Sequence, residues 1–498
     1  MTQDTPCLDL PERIETYNRE AVLFDHAAGL AERGYPESAV MAELSKENST
    51  RCSLPFEDDV LGAIATSAVK YVENRDKPRF AHDAFGDMLI YRHHVCLLDG
   101  MLMIWDGKSY QAGQDKVIRF AVNLRPSLKT SDIKELVSYL ENRAPKVAAP
   151  SSRYIAFRNG VFDLETGRIR ENTPELRVPN LIPHDWNPAA ECPAVDEALT
   201  QWACGREDIR TALMELIGLC MYRGREYQSG TFLTGTGANG KSTFLNMIMS
   251  ILGPENTSSL DIWSFGERFQ TNALAGMLAN IGDDIANERL SGKALAILKK
   301  VTAGNWVSAE VKGGKTYEFR PYATCVFSCN RMPRLADNSE GVYRRFRIIP
   351  FLASFPSQSG SCNLHLEREL SGEDAMQRTI FLGVQALMDA QSRGCLIQIA
   401  EQEAMIDSIR KENSSVFQFV CEELEYGTPD AESIYDHPTR EIYGSYKAYC
   451  EEAGLRPVSR NNFSTEMCAL YDAATKKVRI GGGNPRAVFV PNEQQAAS

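Results

Sequence analysis

The residues with the clearest chemical pattern lie in one glycine-rich stretch, LTGTGANGKSTFL, in which Gly235 to Ser242 fit the spacing G-x-x-x-x-G-K-[ST]. Such a loop directs backbone N–H groups at phosphate oxygens, and its lysine reaches the outer phosphates. The spacing also arises by chance, so the neighbouring sequence must show whether it marks a phosphate-binding loop. GTFLT predicts a strand before the loop and STFLNMIMSIL predicts a helix after it. In this order the positive end of the helix points at an anion.

The context therefore predicts a nucleotide site. Lys241 is expected at the β- and γ-phosphates of ATP, and Ser242 is expected to bind Mg²⁺. The alternative is a solvated glycine turn beside a surface lysine. The residues expected to contact the nucleotide are the nine of the loop and helix start: Gly235, Thr236, Gly237, Ala238, Asn239, Gly240, Lys241, Ser242 and Thr243.

Two adjacent carboxylates follow an apolar run downstream, in LAGMLANIGDDI. A strand that ends in Asp283 and Asp284 fits the Walker B pattern, in which one carboxylate holds the metal and the pair activates water. We expect Asp283 to share Mg²⁺ with Ser242. The alternative is an acidic turn on a solvated surface.

An amide follows the next β-rich run, TCVFSCNRMPRL. A buried strand that ends at Asn330 could place this amide beside the γ-phosphate, where it would orient the attacking water. The alternative is a turn asparagine before Pro333.

Three arginines lie in YRRFRIIPF, at the start of an apolar strand. Alternation places Arg345 and Arg347 on one face of the strand and Arg344 on the other. Arg344 or Arg345 is a candidate arginine finger for the ATP of a neighbouring subunit. The alternative is a basic strand edge that discourages aggregation.

The composition limits the other classes. The chain has 498 residues, is 43% hydrophobic and carries a net charge of −12, so nucleic-acid contacts must come from local basic patches. The 13 cysteines show no C-x-x-C spacing, which is typical of free thiols in a reducing cytoplasm and disfavours a zinc site. Apolar runs such as VCLLDGMLMIW are too short to span a bilayer, so we expect a soluble protein without membrane contacts.

A local basic patch occurs near the end of the chain. TREIYGSYKAYCEEAG and SRNNFSTEMCALY predict two helices, and KKVRIGGGNPRAVFV predicts two strands around a glycine-rich turn. This order favours a winged helix that binds DNA, although winged helices also serve as protein–protein modules. The candidate DNA contacts are Arg460, Lys476, Lys477 and Arg479.

Hydrophobic patterning and turn signals predict an α/β P-loop ATPase with N-terminal helical and mixed α+β regions and a C-terminal winged helix. The expected divisions are a helical module over 1–75, a mixed α+β lead-in over 76–193, a helical collar over 194–228, the ATPase over 229–400 and the winged helix over 401–498.

The order of motifs over roughly 80–490 resembles that of the superfamily 3 helicases, specifically the phage and plasmid primase-helicase family, which is related to the poxvirus type. The motifs are GTGANGKST, LANIGDDI, LKKVTAGNWVSAEVKGGKTYEF, FSCNRMPR and YRRFRIIPF. The resemblance implies an AAA+-like ATPase that takes ATP and Mg²⁺, assembles as a homo-hexameric ring and moves on single-stranded DNA at replication forks or origins. It also implies that Arg344 or Arg345 acts in trans.

In this family a hairpin projects into the central pore. The corresponding segment here, VSAEVKGGKTYEF, also reads as a hairpin from its own pattern, with Lys312 and Lys315 at its tip. Lysines repeated around a ring would line a positive pore for a phosphate backbone. The alternative is an ordinary exposed hairpin.

Full-length family members often carry a polymerase-like primase domain with a D-x-D pair, and no such set occurs in this sequence. The helices of 13–75 instead resemble the small domain that follows the primase. We therefore expect a helicase without primase activity, and recruitment of a separate primase stays open. The alternatives are a non-unwinding, ATP-dependent origin-binding or primase-docking initiator, or a small-molecule P-loop kinase or NTPase, which the basic C-terminal stretch disfavours.

Overall fold

The computed structural model describes residues 10–77, 79–285, 288–310, 316–335, 340–355, 365–424, 434–435, 437–478 and 486–491. Three predicted DNA contacts, Lys312, Lys315 and Arg479, lie outside these residues. Within the described part of the chain, every helix is too short or too polar to cross a lipid bilayer.

The chain begins with four helices and then forms a small sheet flanked by two more. Gly34, at φ +82°, ends the first helix, and Pro36 directly precedes the second, as their positions in the sequence suggest. In order, these elements are α1 Arg19–Glu32, α2 Glu37–Arg51, α3 Asp58–Asn74, α4 His82–Arg92, β1 Cys96–Leu98, β2 Met101–Trp105, β3 Tyr110–Ala112, α5 Gln114–Leu124, α6 Thr130–Arg143 and β4 Lys146–Val147.

One hydrophobic core unites these elements. Its buried residues run from Ile14 to Ala144 and include Phe24 in α1, Leu61 in α3 and Leu136 in α6. Because apolar residues at helical spacing from α1 to α6 bury one another, this core extends across position 75, where the sequence analysis placed a boundary.

The next region combines a second small sheet with two helices. The strand order is β7-β6-β5-β8. Phe157 and Phe162 of this sheet, together with Trp186 from the segment after β8, pack against the helices that follow. The elements are β5 Tyr154–Phe157, β6 Gly160–Asp163, β7 Arg168–Arg170, β8 Leu181–Ile182, α7 Pro193–Trp202 and α8 Glu207–Met221.

A five-stranded parallel sheet then forms the centre of the molecule, with the strand order β10-β11-β15-β9-β17. This region also contains the two-stranded sheets β12-β16 and β13-β14. Its elements in chain order are β9 Gly230–Thr234, α9 Lys241–Leu252, β10 Thr257–Ser258, β11 Ala279–Gly282, β12 Arg289–Leu290, α10 Gly292–Thr302, β13 Val307–Ala309, β14 Tyr317–Phe319, β15 Thr324–Cys329, β16 Arg334–Leu335, α11 Glu340–Tyr343, β17 Phe346–Pro350, α12 Leu366–Leu370 and α13 Glu373–Arg393.

Helices cover both faces of this sheet, which explains its nearly unbroken apolar strands. Leu233 of β9 packs on one side, in the core that contains Leu216 of α8 and Phe244 of α9. Phe232 packs on the other side, with Leu295 of α10. The fold is therefore mixed α/β, and alternate residues of each central strand serve different cores.

The C-terminal segment has its own core, which includes Phe419, Tyr446, Phe463 and Phe489. Two helices followed by an antiparallel strand pair appear in the order that the sequence predicts. The elements are α14 Gln402–Asn413, α15 Ser415–Glu422, α16 Thr439–Glu452, α17 Arg460–Leu470, β18 Ala473–Val478 and β19 Arg486–Pro491.

Candidate nucleotide site

The predicted site residues of three separate segments meet at one edge of the parallel sheet. In register, Thr234 of β9 pairs with Cys329 of β15, and Gly282 of β11 pairs with Phe327 of β15. The loop after β9, the carboxylates after β11 and the amide after β15 consequently lie side by side at the carboxyl ends of the strands. Ligands of open α/β sheets bind at this edge.

Lys241 is the centre of the arrangement. Its Nζ donates to the carbonyl oxygen of Gly235 at 2.8 Å, to Asn239 Oδ1 at 3.0 Å and to Asn330 Oδ1 at 3.3 Å. The lysine is 7% exposed, and burial lowers the pKa of its ammonium group. These three acceptors are neutral oxygens, and an anion would stabilise the ammonium further, so the lysine suits a phosphate.

The loop itself presents backbone to the site. Helix α9 starts at Lys241, and among the described residues no side chain caps its first turn, which leaves N–H donors for phosphate oxygens. Gly240 has φ +90°, and a Cβ on this residue would clash with the indole of Trp202. A Cβ on Gly235 would clash with Asn239 and with the carbonyl of Phe351. Both positions therefore require glycine.

The segment after β17 braces the loop from the other side. The N–H of Phe351 donates to the carbonyl oxygen of Thr234 and the N–H of Phe355 donates to that of Ala238, each at 2.7 Å. The Trp202 ring lies 6.3 Å from the Phe351 ring, centroid to centroid. The sequence analysis missed Trp202 and Phe351, since neither carries a local signal of contact with the loop.

The carboxylate pair is held by a serine that the sequence analysis also missed. Ser328 Oγ donates to Asp283 Oδ1, and the N–H of Asp284 donates to Ser328 Oγ at 2.8 Å and to Asp283 Oδ1 at 3.0 Å. Asp284 has φ +50°, so the chain turns sharply after β11. Both carboxylates are exposed. Ser328 is a polar residue near the carboxyl end of β15, directly after the apolar residues Val326 and Phe327, and this is the signal that would have identified it.

The oxygen groups at this edge fit a hard cation. Ser242 is exposed at the start of α9, and Asp283 is exposed at the neighbouring strand end. A hydroxyl and one carboxylate are a suitable protein contribution to Mg²⁺, which completes its octahedron with phosphate oxygens and water. Thr243 is half-buried, one position further into the helix.

The arginines lie at the opposite edge of the sheet. The carbonyl oxygen of Arg345 accepts from the N–H of Gly230 at 2.8 Å, where β9 begins. Five strand residues, about 16 Å, therefore separate this edge from the phosphate loop. Arg344 is exposed, whereas the Arg345 guanidinium donates to the carbonyl oxygen of Gly341. Arg347 is buried and paired with Glu215 in the core.

The predicted DNA contacts that the structure describes lie in the C-terminal segment. Arg460 begins α17 and donates to Thr439 Oγ1 at 3.1 Å. Lys476 and Lys477 are both exposed on β18. The hairpin that precedes β15 is present as the antiparallel pair β13 and β14, and its tip lies outside the described residues.

Three family models match the chain. Primase C terminal 1 matches residues 9–74, D5 N terminal like matches 66–203, and DUF5906, a family of unknown function, matches 233–345. The first match corresponds to the expected resemblance of the 13–75 helices to the small domain that follows a primase.

The chain also resembles viral proteins. It is 25% identical to a putative helicase of Acanthamoeba polyphaga mimivirus over 217 residues, which cover 41% of this chain and 22% of that protein. It is 25% identical to putative helicases of Invertebrate iridescent virus 6 and Invertebrate iridescent virus 3, over 44% and 40% of this chain. These matches span only 24% and 23% of the two proteins.

Two solved structures of the NrS-1 C-terminal region, both apo, align with 11% identity, TM-scores of 0.48 and 0.47, and coverage of 83% of this chain and 100% of those chains. The matches to the primase C-terminal and D5 N-terminal models, together with those to the viral putative helicases, support a place for this chain in a phage and viral primase-helicase-like family.

Proposed function

We propose that this chain is the ATP-driven motor of a superfamily 3 helicase, which moves on single-stranded DNA during replication of a phage, a plasmid or another mobile element. One observation carries the proposal. Lys241 Nζ lies 3.3 Å from Asn330 Oδ1, beside the Asp283 carboxylate that Ser328 holds in place. Cation, amide and carboxylate thus converge from three strands at the end of a glycine-rich loop.

Each residue has a distinct role in hydrolysis. Bound Mg²⁺ supplies positive charge at the phosphate oxygens. Lys241 and the first-turn N–H groups of α9 bind the β- and γ-phosphates, while Asn330 donates its amide to the γ-phosphate and orients the attacking water. Asp284 accepts the proton of that water, and Asp283 would hold the cation together with Ser242. Lys241 already contacts Asn330, so a phosphate between them would engage both.

A ring explains the position of the arginines. Arg344 is exposed at the amino edge of the sheet, about 16 Å of strand length from the phosphate loop of its own subunit. It can complete an ATP site only if a second subunit presents its carboxyl edge there, as in a head-to-tail ring. The five-stranded parallel order supports an AAA+-like core, and we propose a homo-hexamer.

The DNA contacts follow from the same assembly. The β13–β14 hairpin, with Lys312 and Lys315 in its connection, would line the pore, and the winged-helix segment would hold the duplex or the fork through Arg460, Lys476, Lys477 and Arg479. Positive side chains in these positions neutralise phosphates without reading sequence.

The decisive experiment measures ATP hydrolysis with and without single-stranded DNA. Wild-type protein should hydrolyse ATP faster with DNA, and Lys241→Ala should lose at least 100-fold of that rate, roughly the effect of removing one electrostatic contact to the reacting group. Lys134→Ala is the matched control, because Lys134 is exposed on α6, a helix whose apolar residues belong to the N-terminal core.

A strand-displacement assay then separates the motor from a non-unwinding initiator. A protein that assembles with ATP but displaces no strand contradicts the helicase proposal. Hydrolysis that is indifferent to both DNA and Lys241→Ala contradicts the ATP site as well.

A further inference from the structure

Helix α14 joins the parallel-sheet core to the C-terminal segment. Ile409 of α14 is buried in the core that also contains Tyr343 and Phe346. The Arg410 guanidinium lies 4.8 Å from the centroid of the Tyr343 ring, within cation–π range. Tyr343 directly precedes Arg344, so this helix packs against the segment that presents the exposed arginine.

A second contact fixes the end of the same helix. Asn413 Oδ1 accepts from the N–H of Leu335 at 2.7 Å, in the short strand β16. Asn413 Nδ2 donates to the carbonyl oxygen of Ile409 at 2.8 Å, which orients the amide. The last turn of α14 is therefore tied to the core at β16, before α11, and at Tyr343, the last residue of α11.

The next residue, Ser414, connects to the module formed by α15, α16, α17, β18 and β19, here called the C-terminal module. Its Oγ accepts from the N–H of Phe417 at 3.0 Å and caps α15. The same Oγ donates to Glu466 Oε2 of α17 at 2.7 Å. Helix α17 begins at Arg460, and the basic strand β18 follows it.

One continuous path of contacts thus runs from α17 through Ser414, Asn413 and Arg410 to Tyr343. The path crosses one helical turn, because the N–H of Ser414 donates to the carbonyl oxygen of Arg410 at 2.9 Å, and a helical turn is stiff along its axis. Tyr343 is buried and its ring meets that of Phe346 edge-on, so a displacement of Tyr343 also moves the start of β17. Close-packed cores have discrete arrangements and do not deform continuously. A small displacement of Ser414 can therefore be transmitted through these packed residues to Arg344.

We propose that α14 couples DNA occupancy of the C-terminal module to the position of Arg344, with Arg410 and Asn413 as positioning residues. The inference rests on the proposed function, since it assumes that Arg344 completes a neighbour's ATP site and that the C-terminal module binds DNA. DNA on this module would then set the rate of hydrolysis in the adjacent subunit.

The test uses Arg410→Leu and Asn413→Ala in the full chain, with Glu412→Ala as the matched control on the exposed face of the same helix. We measure the ratio of the ATPase rate with oligo-dT to the rate without it, and the Kd for oligo-dT. Arg410→Leu and Asn413→Ala should lower the ratio about tenfold, within the usual range of coupling between sites, and leave the Kd within about twofold. Glu412→Ala should match wild type.

Hydrogen exchange of the Val342–Phe346 amides gives a readout that a merely structural role would not change. Oligo-dT should slow this exchange in wild type and in Glu412→Ala, but not in Arg410→Leu or Asn413→Ala. Exchange that ignores DNA in wild type, or a full ATPase ratio in both variants, overturns the coupling. ATPase activity that survives Lys241→Ala overturns the proposed function instead, so the two failures are distinguishable.

Discussion

Glu215 of α8 and Arg347 of β17 form an ion pair in the interior of the molecule. The carboxylate is 0% exposed, and its second oxygen accepts from Arg393 at the end of α13. Both carboxylate oxygens also accept from the N–H of Ile397, at 3.0 and 3.1 Å. The pair therefore connects β17, which runs from Arg344 and Arg345 to the glycine-rich loop, to helices α8 and α13.

Removing this carboxylate should be costly. Glu215→Ala leaves the Arg347 guanidinium buried without its counter-ion, and we expect the free energy of unfolding to fall by about 3–5 kcal/mol. Glu401→Ala is the control, because its pair with Arg206 is exposed to solvent and should contribute far less to stability than the buried pair. Urea denaturation of both variants measures the difference, and equal effects would contradict this assignment.

Substitutions of two glycines in the glycine-rich loop should have different effects on stability. Gly240→Ala adds a Cβ that clashes with Trp202 at a left-handed backbone position, so we expect a loss of about 1–3 kcal/mol. At Gly237 a Cβ meets open space, and Gly237→Ala should change stability by less than about 0.5 kcal/mol. The melting temperatures of the two variants without nucleotide test this contrast. A lower melting temperature for Gly237→Ala than for Gly240→Ala would show that another conformation of the loop dominates.

The buried lysine gives stability a distinct pH dependence. Burial lowers the pKa of Lys241 below its ordinary value of 10.5, so between these two values the unfolded chain binds more protons than the folded one. Stability should therefore rise with pH through this window in wild type, relative to Lys241→Met. Urea denaturation over an alkaline pH series measures the difference. Saturating Mg-ATP should reduce it, because a phosphate next to Lys241 favours the charged form, and parallel curves without ATP would refute the shift.

Loss of the Ser328 hydroxyl should weaken the binding of Mg²⁺ at the proposed site. The hydroxyl holds Asp283, so Ser328→Ala should raise the Mg²⁺ concentration for half-maximal ATPase activity about tenfold, as is usual when the partner of a metal ligand is removed. Ser131→Ala is the control, because Ser131 is exposed on α6. If the Mg²⁺ requirement of Ser328→Ala equals that of wild type, Asp283 does not depend on this contact.

Sequence reasoning predicted the elements around the candidate site where their positions follow from local order. The strand before the loop, the helix after it and the two carboxylates after β11 are neighbours in sequence, and parallel strands must bring their carboxyl ends together. The contacts of Trp202 with Gly240 and of Arg347 with Glu215 depend on how separate helices pack on the sheet. Arg347 and Glu215 are 132 positions apart, and the local sequence around one residue does not predict contact with the other. The alternation of strand residues predicted that Arg345 and Arg347 share one face. In the structure, Arg347 is deeply buried against Glu215 of α8, whereas Arg345 is only half-buried.

The two edges of the sheet lead to the sharpest test of assembly. If Arg344 acts on a neighbour's ATP, neither Lys241→Ala nor Arg344→Ala should hydrolyse ATP alone, yet a mixture should. In a randomly mixed ring, an intact site forms wherever an Arg344→Ala subunit, which keeps its lysine, receives the arginine of a Lys241→Ala neighbour. At equal proportions this occurs at about one quarter of the interfaces, so the mixture should recover about one quarter of wild-type activity.

The same mixing with Arg345→Ala in place of Arg344→Ala identifies which arginine completes the site. Arg331→Ala, an exposed arginine next to Asn330 at the carboxyl edge, is the control for charge removal, since it belongs to the same edge as Lys241. A mixture of Arg331→Ala with Lys241→Ala should show no more ATPase activity than the Arg331→Ala subunits contribute themselves. If the mixtures of Arg344→Ala and of Arg345→Ala with Lys241→Ala both fail to recover activity, although all three proteins assemble with wild type, the hydrolytic machinery lies within a single subunit and the shared site is refuted.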